Sequence, residues 1–200
     1  MIRSDFWNIK YDIETEIKPR YVRVNTLSLS LNEAVDGFRD EGWNLCKSQD
    51  KTNYKEFLNK ITSLAEDEFL IDIHIPNLLI FPPKTEFYNH PAYKNGSLVL
   101  QDKASCLPVH ILGPELGSIV LDMCAAPGMK TTQVAAVINN EGTIYAVERD
   151  PKRFETLNKI VDSSGATCVK TVNKDVLTCG GNNFPGVQYI IVDPSCTGSG

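Results

Sequence analysis

The stretch GSIVLDMCAAPGMKTTQVAAVINNEGTIYAVERD, residues 117–150, decides the fold. It begins with an apolar run of strand length, passes through a turn of small residues, and continues into a helix-forming segment and a second apolar run. This order predicts a βαβ unit, in which a helix joins two parallel strands. TCVKTVNKD at 167–175 predicts a third strand. VQYIIVD at 187–193 predicts a fourth, and its nearly continuous apolar character is typical of a strand covered on both faces.

The first part of the chain has a different pattern. KPRYVRVNTL at 18–27 places Tyr21, Arg23 and Asn25 on one side and valines on the other, as in a half-buried strand. Ser30 can cap a helix whose apolar face carries Leu31, Ala34, Val35 and Phe38. FLIDIHIPNLLIF at 69–81 predicts a strand and a turn. The pattern changes near Gly96, so we predict a small α+β module over residues 1–96 and an α/β domain over residues 97–200.

Charge and composition exclude several classes of protein. The net charge is −5 and the isoelectric point is about 5.2, so a general polyanion-binding surface is not expected and any nucleic-acid contact must be local. The six cysteines form no CxxC pairs, and we therefore expect no metal site. We find neither a signal peptide nor an apolar run long enough to span a membrane, which predicts a protein of a reducing, intracellular compartment.

Acidic residues follow all four predicted strands. In sheets of this kind ligands bind beyond the carboxyl ends of the strands, where these residues would meet: Asp122, Glu148, Asp175 and Asp193. Any one of them could simply cap a turn or a helix. Glu148 lies 20 residues beyond Gly128, however, which is close to the spacing of the ribose-binding carboxylate in nucleotide-binding βαβ units.

The turn between the first two strands of the sheet narrows the choice of ligand. A P-loop needs a lysine directly after its second glycine and another glycine five positions earlier, but those positions hold Met129 and Met123. The dinucleotide fingerprint GxGxxG is also absent. A nucleoside ligand without a pyrophosphate fits better, and S-adenosylmethionine is the common one.

Three motifs resemble one family of enzymes. DMCAAPGMKT at 122–131, VERDPKR at 147–153 and VDPSCTGSG at 192–200 are similar to the Sun-domain (NOL/Nop/Sun) RNA methyltransferases, which make 5-methylcytosine. PRYVRVNTL at 19–27 and GSLVLQDKASCLP at 96–108 resemble the branch that modifies large-subunit ribosomal RNA. The resemblance covers the chain from about Pro19 onward. It departs at Met129, where the family usually has a second glycine.

The resemblance implies a Rossmann-like, S-adenosylmethionine-dependent methyltransferase domain with an incomplete sheet, preceded by an RNA-binding-like module. It implies that the turn holds the methionine part of S-adenosylmethionine, that Glu148 binds the ribose, and that Asp175 lies beside the adenine. Arg153 would join this site, although a solvated position in a helix is nearly as compatible with its sequence context. The turn residues concerned are Cys124, Ala125, Ala126, Pro127, Gly128, Met129 and Lys130.

The resemblance also implies a covalent mechanism. A thiolate adds to carbon 6 of cytosine and makes carbon 5 nucleophilic, while Asp193, between cofactor and base, supplies or shares the proton at ring nitrogen 3. DNA methyltransferases would suggest Cys196 as the nucleophile. In the RNA family this cysteine assists product release and the attacking cysteine belongs to a later Thr-Cys motif, which would lie beyond Gly200. We therefore expect a C-terminally truncated fragment that does not catalyse methylation alone. The alternative that Cys196 is an inert buried thiol stays open.

The expected partner is RNA, in particular ribosomal RNA, and a eukaryotic protein of this kind would be expected in the nucleolus. The alternative is a non-catalytic RNA-binding or ribosome-assembly protein that retains the methyltransferase fold. A nucleotide-dependent oxidoreductase would need a hydride-transfer cofactor site, and the sequence shows none.

Overall fold

The computed structural model describes residues 18–46 and 54–194. Cys196 lies outside these residues, as does Ser195 before it. The described part contains two sheets, one of five strands and one of four, each with its own helices. We name the part built on the first sheet the N-terminal module and the part built on the second sheet the C-terminal module.

The N-terminal module is a mixed α/β unit. Its strands lie in the order β2-β3-β4-β1-β5, with β1 paired antiparallel to both β4 and β5. In chain order its elements are β1 (Arg20–Val24), α1 (Leu31–Asp40), β2 (Asn44–Leu45), α2 (Tyr54–Thr62), β3 (Glu68–Ile71), β4 (Leu78–Phe81), α3 (Pro91–Lys94) and β5 (Leu98–Leu100). The apolar stretch after residue 68 thus supplies two strands and not one. Strand β5 lies beyond Gly96 in sequence and pairs with β1 of this sheet.

Helix α1 begins where the sequence predicts. Ser30 accepts a hydrogen bond from the backbone amide of Glu33, and the Glu33 carboxylate accepts one from the amide of Ser30, which completes a capping box. The inner face of the helix buries an apolar set that includes Phe38. The Phe38 ring lies 4.9 Å from that of Phe81, centroid to centroid, in an edge-on arrangement, so the predicted helical face forms part of the module core.

The C-terminal module contains the predicted βαβ unit. All pairs in its sheet are parallel, and the strand order is β8-β7-β6-β9. Its elements are α4 (Lys103–Leu112), β6 (Ile119–Asp122), α5 (Met129–Val137), β7 (Thr143–Glu148), α6 (Pro151–Ser163), β8 (Val169–Asn173) and β9 (Tyr189–Ile191). The strand order reverses between β6 and β9, because the chain adds β7 and β8 on one side of β6 and β9 on the other. Open α/β sheets bind ligands at such a point.

Strand β9 differs from its prediction. Ile190 is 52% exposed and Val192 is 63% exposed, so the expectation that this apolar run is covered on both faces is wrong for the part of the chain that the structure describes. An apolar run reports the preference of the side chains, not the presence of a covering element. Among the described helices, none is both long and apolar enough to cross a membrane.

The end of strand β1 and the residue after it also differ from the prediction, because they are buried on both sides. Arg23 is 3% exposed and Asn25, directly after the strand, is fully buried, although alternation predicted a polar, solvated side. Asn25 donates a hydrogen bond to the backbone oxygen of Ser164, 2.8 Å away, at the end of α6. The side predicted to face water is therefore the side that contacts the C-terminal module.

Candidate active site

The turn after β6 is anchored to both neighbouring strands. The amide of Met123 donates to the backbone oxygen of Ile191 in β9 at 2.9 Å, and the amide of Ala125 donates to that of Val147 in β7 at 2.9 Å. Backbone bonds in two directions leave the turn little freedom. The chain between these anchors and α5 is therefore held at the carboxyl edge of the sheet.

Asp122 ties the end of β6 to helix α5. Its carboxylate accepts a hydrogen bond from the hydroxyl of Thr131 at 2.7 Å and one from the amide of Cys124 at 3.4 Å. The residue is almost fully buried, and this burial raises the pKa of the Asp122 carboxyl above its ordinary value. These bonds fit a structural role for Asp122.

Gly128 precedes α5 with a φ of +113°, a left-handed conformation that strains residues with a side chain. A Cβ atom added here would lie 3.2 Å from both Leu157 and Ile160 of helix α6. The glycine thus allows close packing of the turn on α6 as well as the sharp change of direction. The backbone amides that begin α5 follow directly and favour negative charge nearby.

A pocket of about 270 Å³ opens at the carboxyl ends of β6, β7 and β8, and we call it the strand-end pocket. It brings together four of the residues predicted for the cofactor site. The members that the sequence singled out are Cys124, Glu148, Arg153 and Asp175. Met123, Val176, Leu177 and Val192 add apolar walls. Ligand pockets are commonly apolar with a few convergent polar groups, and this pocket has that character.

Glu148 and Arg153 form the polar wall of the strand-end pocket. One carboxylate oxygen of Glu148 accepts from the amide of Asp150 at 2.9 Å, and the other lies 3.3 Å from Nη1 of Arg153. The Arg153 guanidinium also donates to the backbone oxygen of Ala126 in the turn. Glu148 is buried, whereas Arg153 is partly exposed. The arginine thus links the first turn of α6 to two parts of the predicted site.

Asp175 lies on the opposite side of the strand-end pocket, beyond β8. Its carboxylate accepts from the amide of Leu177 at 3.0 Å and so caps the short 3₁₀ helix that follows. Each carboxylate oxygen can accept two hydrogen bonds, so this cap still allows a ligand contact. Asp175 can therefore cap the 3₁₀ helix and contact a ligand at the same time.

A second pocket, of about 150 Å³, adjoins the first through Cys124, and we call it the lysine pocket. Nζ of Lys130 contacts the carboxylate of Asp193 and lies 2.9 Å from the hydroxyl oxygen of Ser105. The rest of the pocket comes mainly from the turn. Those lining residues are Asp122, Ala125, Ala126, Pro127 and Met129.

The predicted site residues therefore divide between two adjoining pockets. Six turn residues besides Cys124 were predicted with the cofactor group. Gly128 lines neither pocket, and the other five line the lysine pocket with Asp193: Ala125, Ala126, Pro127, Met129 and Lys130. Three charged or hydroxyl-bearing lining residues were not predicted as site residues: Ser105 in the lysine pocket, and Arg149 and Lys174 in the strand-end pocket. Lys174 directly precedes Asp175, so its strand-end position could have indicated it. The described residues contain no group of three or more His, Cys, Asp and Glu side chains that could hold a metal ion.

The chain is similar in sequence and in fold to known methyltransferases. The chain is 46% identical over 187 residues to the 28S rRNA (cytosine-C(5))-methyltransferase of Drosophila melanogaster, covering 92% of this chain and 43% of that protein. It is 43% identical over 184 residues to the mouse protein of the same name, covering 91% and 38%. A solved methyltransferase homologue from Pyrococcus horikoshii superposes with a TM-score of 0.69 at 26% identity, covering 91% of this chain and 52% of that one.

The parallel sheet, with the strand-end pocket and the lysine pocket at its carboxyl edge, forms a Rossmann-like methyltransferase domain. The N-terminal module precedes this domain in the chain. The family model of the NOL1/NOP2/Sun domain family member 5 ferredoxin-like domain matches residues 18–101, and that of the 16S rRNA methyltransferase RsmB/F matches residues 109–200. The chain belongs to the NOL1/NOP2/Sun family of RNA methyltransferases. It spans about two fifths of the length of the fly and mouse relatives.

Proposed function

We propose that this chain supplies the cofactor site and part of the target-base site of an S-adenosylmethionine-dependent enzyme that methylates carbon 5 of a cytosine in large-subunit ribosomal RNA. One observation carries the proposal. Two pockets adjoin at the carboxyl edge of the sheet, one with the buried carboxylate of Glu148 and the other with the Lys130–Asp193 pair. A methyl donor and a methyl acceptor need such neighbouring sites.

The strand-end pocket fits the cofactor. Glu148 is in place to accept hydrogen bonds from the ribose hydroxyls, and Asp175 and the apolar walls can hold the adenine. The methionine part then lies at Cys124, which lines both pockets, and along residues 125–128, next to the amides that begin α5. The volume of about 270 Å³ is slightly below the range of about 300–1,000 Å³ that is usual for small-molecule sites. S-adenosylmethionine would supply a methyl group that its sulfonium sulfur activates toward nucleophiles.

The lysine pocket fits the reacting edge of the base. Carbon 5 of cytosine is a poor nucleophile until a thiolate has added to carbon 6, and protonation at ring nitrogen 3 favours that addition. The Asp193 carboxyl can take up a proton from water and share it with ring nitrogen 3, and Lys130 orients this carboxyl group. After carbon 5 has gained the methyl group, it loses its proton to a base and the thiol is eliminated. By resemblance the attacking thiolate would come from beyond Gly200, and Cys196 would assist product release.

The proposed substrate follows from the relatives. The names of the fly and mouse proteins state that they methylate cytosine carbon 5 of 28S rRNA, and each aligns with more than nine tenths of this chain. The target base must leave its stack to reach the lysine pocket, so a single-stranded or remodelled RNA site is expected. In a eukaryote, this substrate would place the protein in the nucleolus.

Calorimetry and a methylation assay test the proposal in two stages. The chain itself is titrated with S-adenosylmethionine and, as a control for nucleoside selectivity, with ATP. The protein that carries this chain is then incubated with large-subunit and small-subunit ribosomal RNA, and nucleosides are analysed for 5-methylcytosine. We expect the chain to bind S-adenosylmethionine but not ATP, and we expect methylation of large-subunit but not of small-subunit RNA. Cofactor binding with RNA binding but no methylation would instead favour a non-catalytic assembly protein.

A further inference from the structure

One side of strand β1 and of the residue after it contacts two helices near the site. Arg23 donates hydrogen bonds to α5, and Asn25, directly after β1, donates to the end of α6. Side chains two residues apart point to the same side of an extended chain, so this short segment reaches both helices. The N-terminal module therefore contacts α5, which begins within the predicted cofactor turn.

Arg23 makes the most specific of these contacts. Its Nη2 donates to the hydroxyl of Thr132 at 3.0 Å and lies 3.3 Å from the backbone oxygen of Met129, while its Nε donates to the amide oxygen of Gln101 at 2.7 Å. Met129 and Thr132 belong to the first turn of α5, and Lys130 lies between them. The guanidinium thus holds the backbone and a side chain of the turn that carries the lysine of the lysine pocket.

Burial of the Arg23 guanidinium costs free energy, which argues that the directions of its hydrogen bonds matter. The hydrogen-bond acceptors of Arg23 are neutral, and among the described residues no carboxylate forms a salt bridge with it. Burial lowers the pKa of Arg23 to about 10. A buried cation is expensive unless it is well bonded, so general adhesion between modules would be served better by apolar side chains. The planar fork of arginine, in contrast, can reach several acceptors in fixed directions.

A buried hydrogen-bond chain extends the contact. Gln101, which accepts from Arg23, donates to the side-chain oxygen of Gln133 in α5 at 3.0 Å, and Gln133 donates to the backbone oxygen of Cys106 in α4 at 3.0 Å. Each member fixes the orientation of the next, because a buried amide without its partners is destabilised. Gln133 thus bonds α5 directly to α4, and Gln101 connects this bond to Arg23 of β1.

We propose that Arg23 is a positioning residue for the methyltransferase site: it fixes the first turn of α5 from the N-terminal module and so sets the placement of the cofactor turn and of Lys130. This rests on the proposed function of the two pockets. Arg23 lines neither of them, so its effect is transmitted through Met129 and Thr132.

Hydrogen exchange tests the proposal without any ligand. In the full chain, Arg23→Met is expected to raise amide exchange in α5 and in residues 124–128, while exchange in β7 stays unchanged. Thr132→Val removes only the side-chain acceptor and should give a smaller effect in the same peptides. Asn25→Ala is the matched control. It removes the hydrogen bonds of the residue directly after β1 to Ser164, Gly96 and Leu27, so it should raise exchange near residues 25–28, 95–97 and 160–166 but not in α5.

Cofactor binding gives the second readout. Loss of a charged hydrogen-bond network of this kind corresponds to roughly a tenfold weaker affinity for S-adenosylhomocysteine by calorimetry. Asn25→Ala should change the affinity by less than about twofold, and Arg23→Lys should recover part of the loss because it keeps one donor. In the protein that carries this chain, KM for the cofactor should rise while KM for RNA stays the same; a purely structural defect would reduce the active fraction and leave both unchanged.

The outcomes separate the two proposals. Folded Arg23→Met and Thr132→Val proteins with wild-type exchange in α5 would overturn the positioning role. If the wild-type chain binds no S-adenosylhomocysteine, the function of the strand-end pocket is contradicted, and exchange still decides whether Arg23 fixes the turn. If Arg23→Met does not fold, Thr132→Val and Arg23→Lys carry the test.

Discussion

Lys130 contacts Asp193, although 63 residues separate them in the chain and they lie next to different strands. The side chain of Lys130 is mostly buried, whereas that of Asp193 is more than half exposed. An ion pair with one exposed partner contributes little to stability, about 1 kcal/mol or less. Its value in this place is geometric, because it holds a carboxylate at the edge of the lysine pocket.

Replacing Lys130 separates this geometric role from cofactor binding. In the protein that carries this chain, Lys130→Met should lower the methylation rate by about 100-fold, a typical contribution of a positioned acid or base, because Asp193 loses its partner. Affinity for S-adenosylhomocysteine should stay within about threefold, since the lysine lies outside the strand-end pocket. Lys152→Met, an exposed lysine of α6, is the control and should retain the rate. An affinity loss as large as the rate loss would place Lys130 with the cofactor.

Glu148 should dominate cofactor affinity. Glu148→Gln keeps the shape and one acceptor but removes the charge, and we expect binding of S-adenosylmethionine to weaken by about 10- to 100-fold, the range for hydrogen bonds to a charged group. Calorimetry measures the change directly. Glu155→Gln removes a charge from an exposed position of α6 and should have no effect. Equal affinities for both variants would contradict the proposed ribose contact.

Gly128→Ala should destabilise the protein by about 1–3 kcal/mol, because its left-handed φ strains any other residue and the new methyl group meets α6. Urea unfolding followed by circular dichroism measures this loss. Gly37→Ala is the control: a Cβ atom added at Gly37 would have no neighbour within 4 Å, and alanine is favoured inside α1 by about 1 kcal/mol. Opposite signs for the two variants are expected, and a neutral Gly128→Ala would refute the packing argument.

Two cysteines should differ in their reaction with iodoacetamide at pH 8. Cys106 is fully buried and its pKa is raised to about 11, so it should be alkylated only after unfolding. Cys124 is partly exposed and lines both pockets, so it should react slowly in the free chain and be protected by S-adenosylhomocysteine. Peptide mass spectrometry distinguishes the sites. Alkylation of Cys124 at the same rate with ligand would contradict its place in the cofactor site.

Asp122 should make the protein less stable as the pH rises. Burial raises the pKa of its carboxyl in the folded state, so the folded chain binds this proton more tightly than the unfolded chain does. Stability from this group is therefore greatest below the unfolded pKa of about 4 and declines as the pH rises through the folded pKa. Asp122→Asn removes the titratable carboxyl, so the free energy of unfolding of the variant should rise relative to that of the wild type as the pH increases above about 4. A constant difference would show that the carboxyl titrates normally.

Much of the site could be predicted from the sequence because the information is local. The βαβ order, the cap at Ser30 and the acid after each strand depend on neighbouring residues and on one rule about where parallel sheets bind ligands. The split between two pockets could not, since it depends on Lys130 meeting Asp193 across the sheet. The roles of Arg23 and Asn25 could not be predicted either, because alternation shows that a strand has two faces but not what covers each of them.

The close approach of Gly96 to helix α6 has a practical consequence for engineering. This glycine has a φ of +80°, and a Cβ atom placed on it would lie 2.5 Å from the backbone oxygen of Ser163. The two modules therefore meet backbone to backbone at this point, with no side chain to trim or repack. A chimera that exchanges the N-terminal module between relatives should retain function only if the end of α6 is transplanted with it. The exchangeable unit is therefore the N-terminal module together with the C-terminal end of α6.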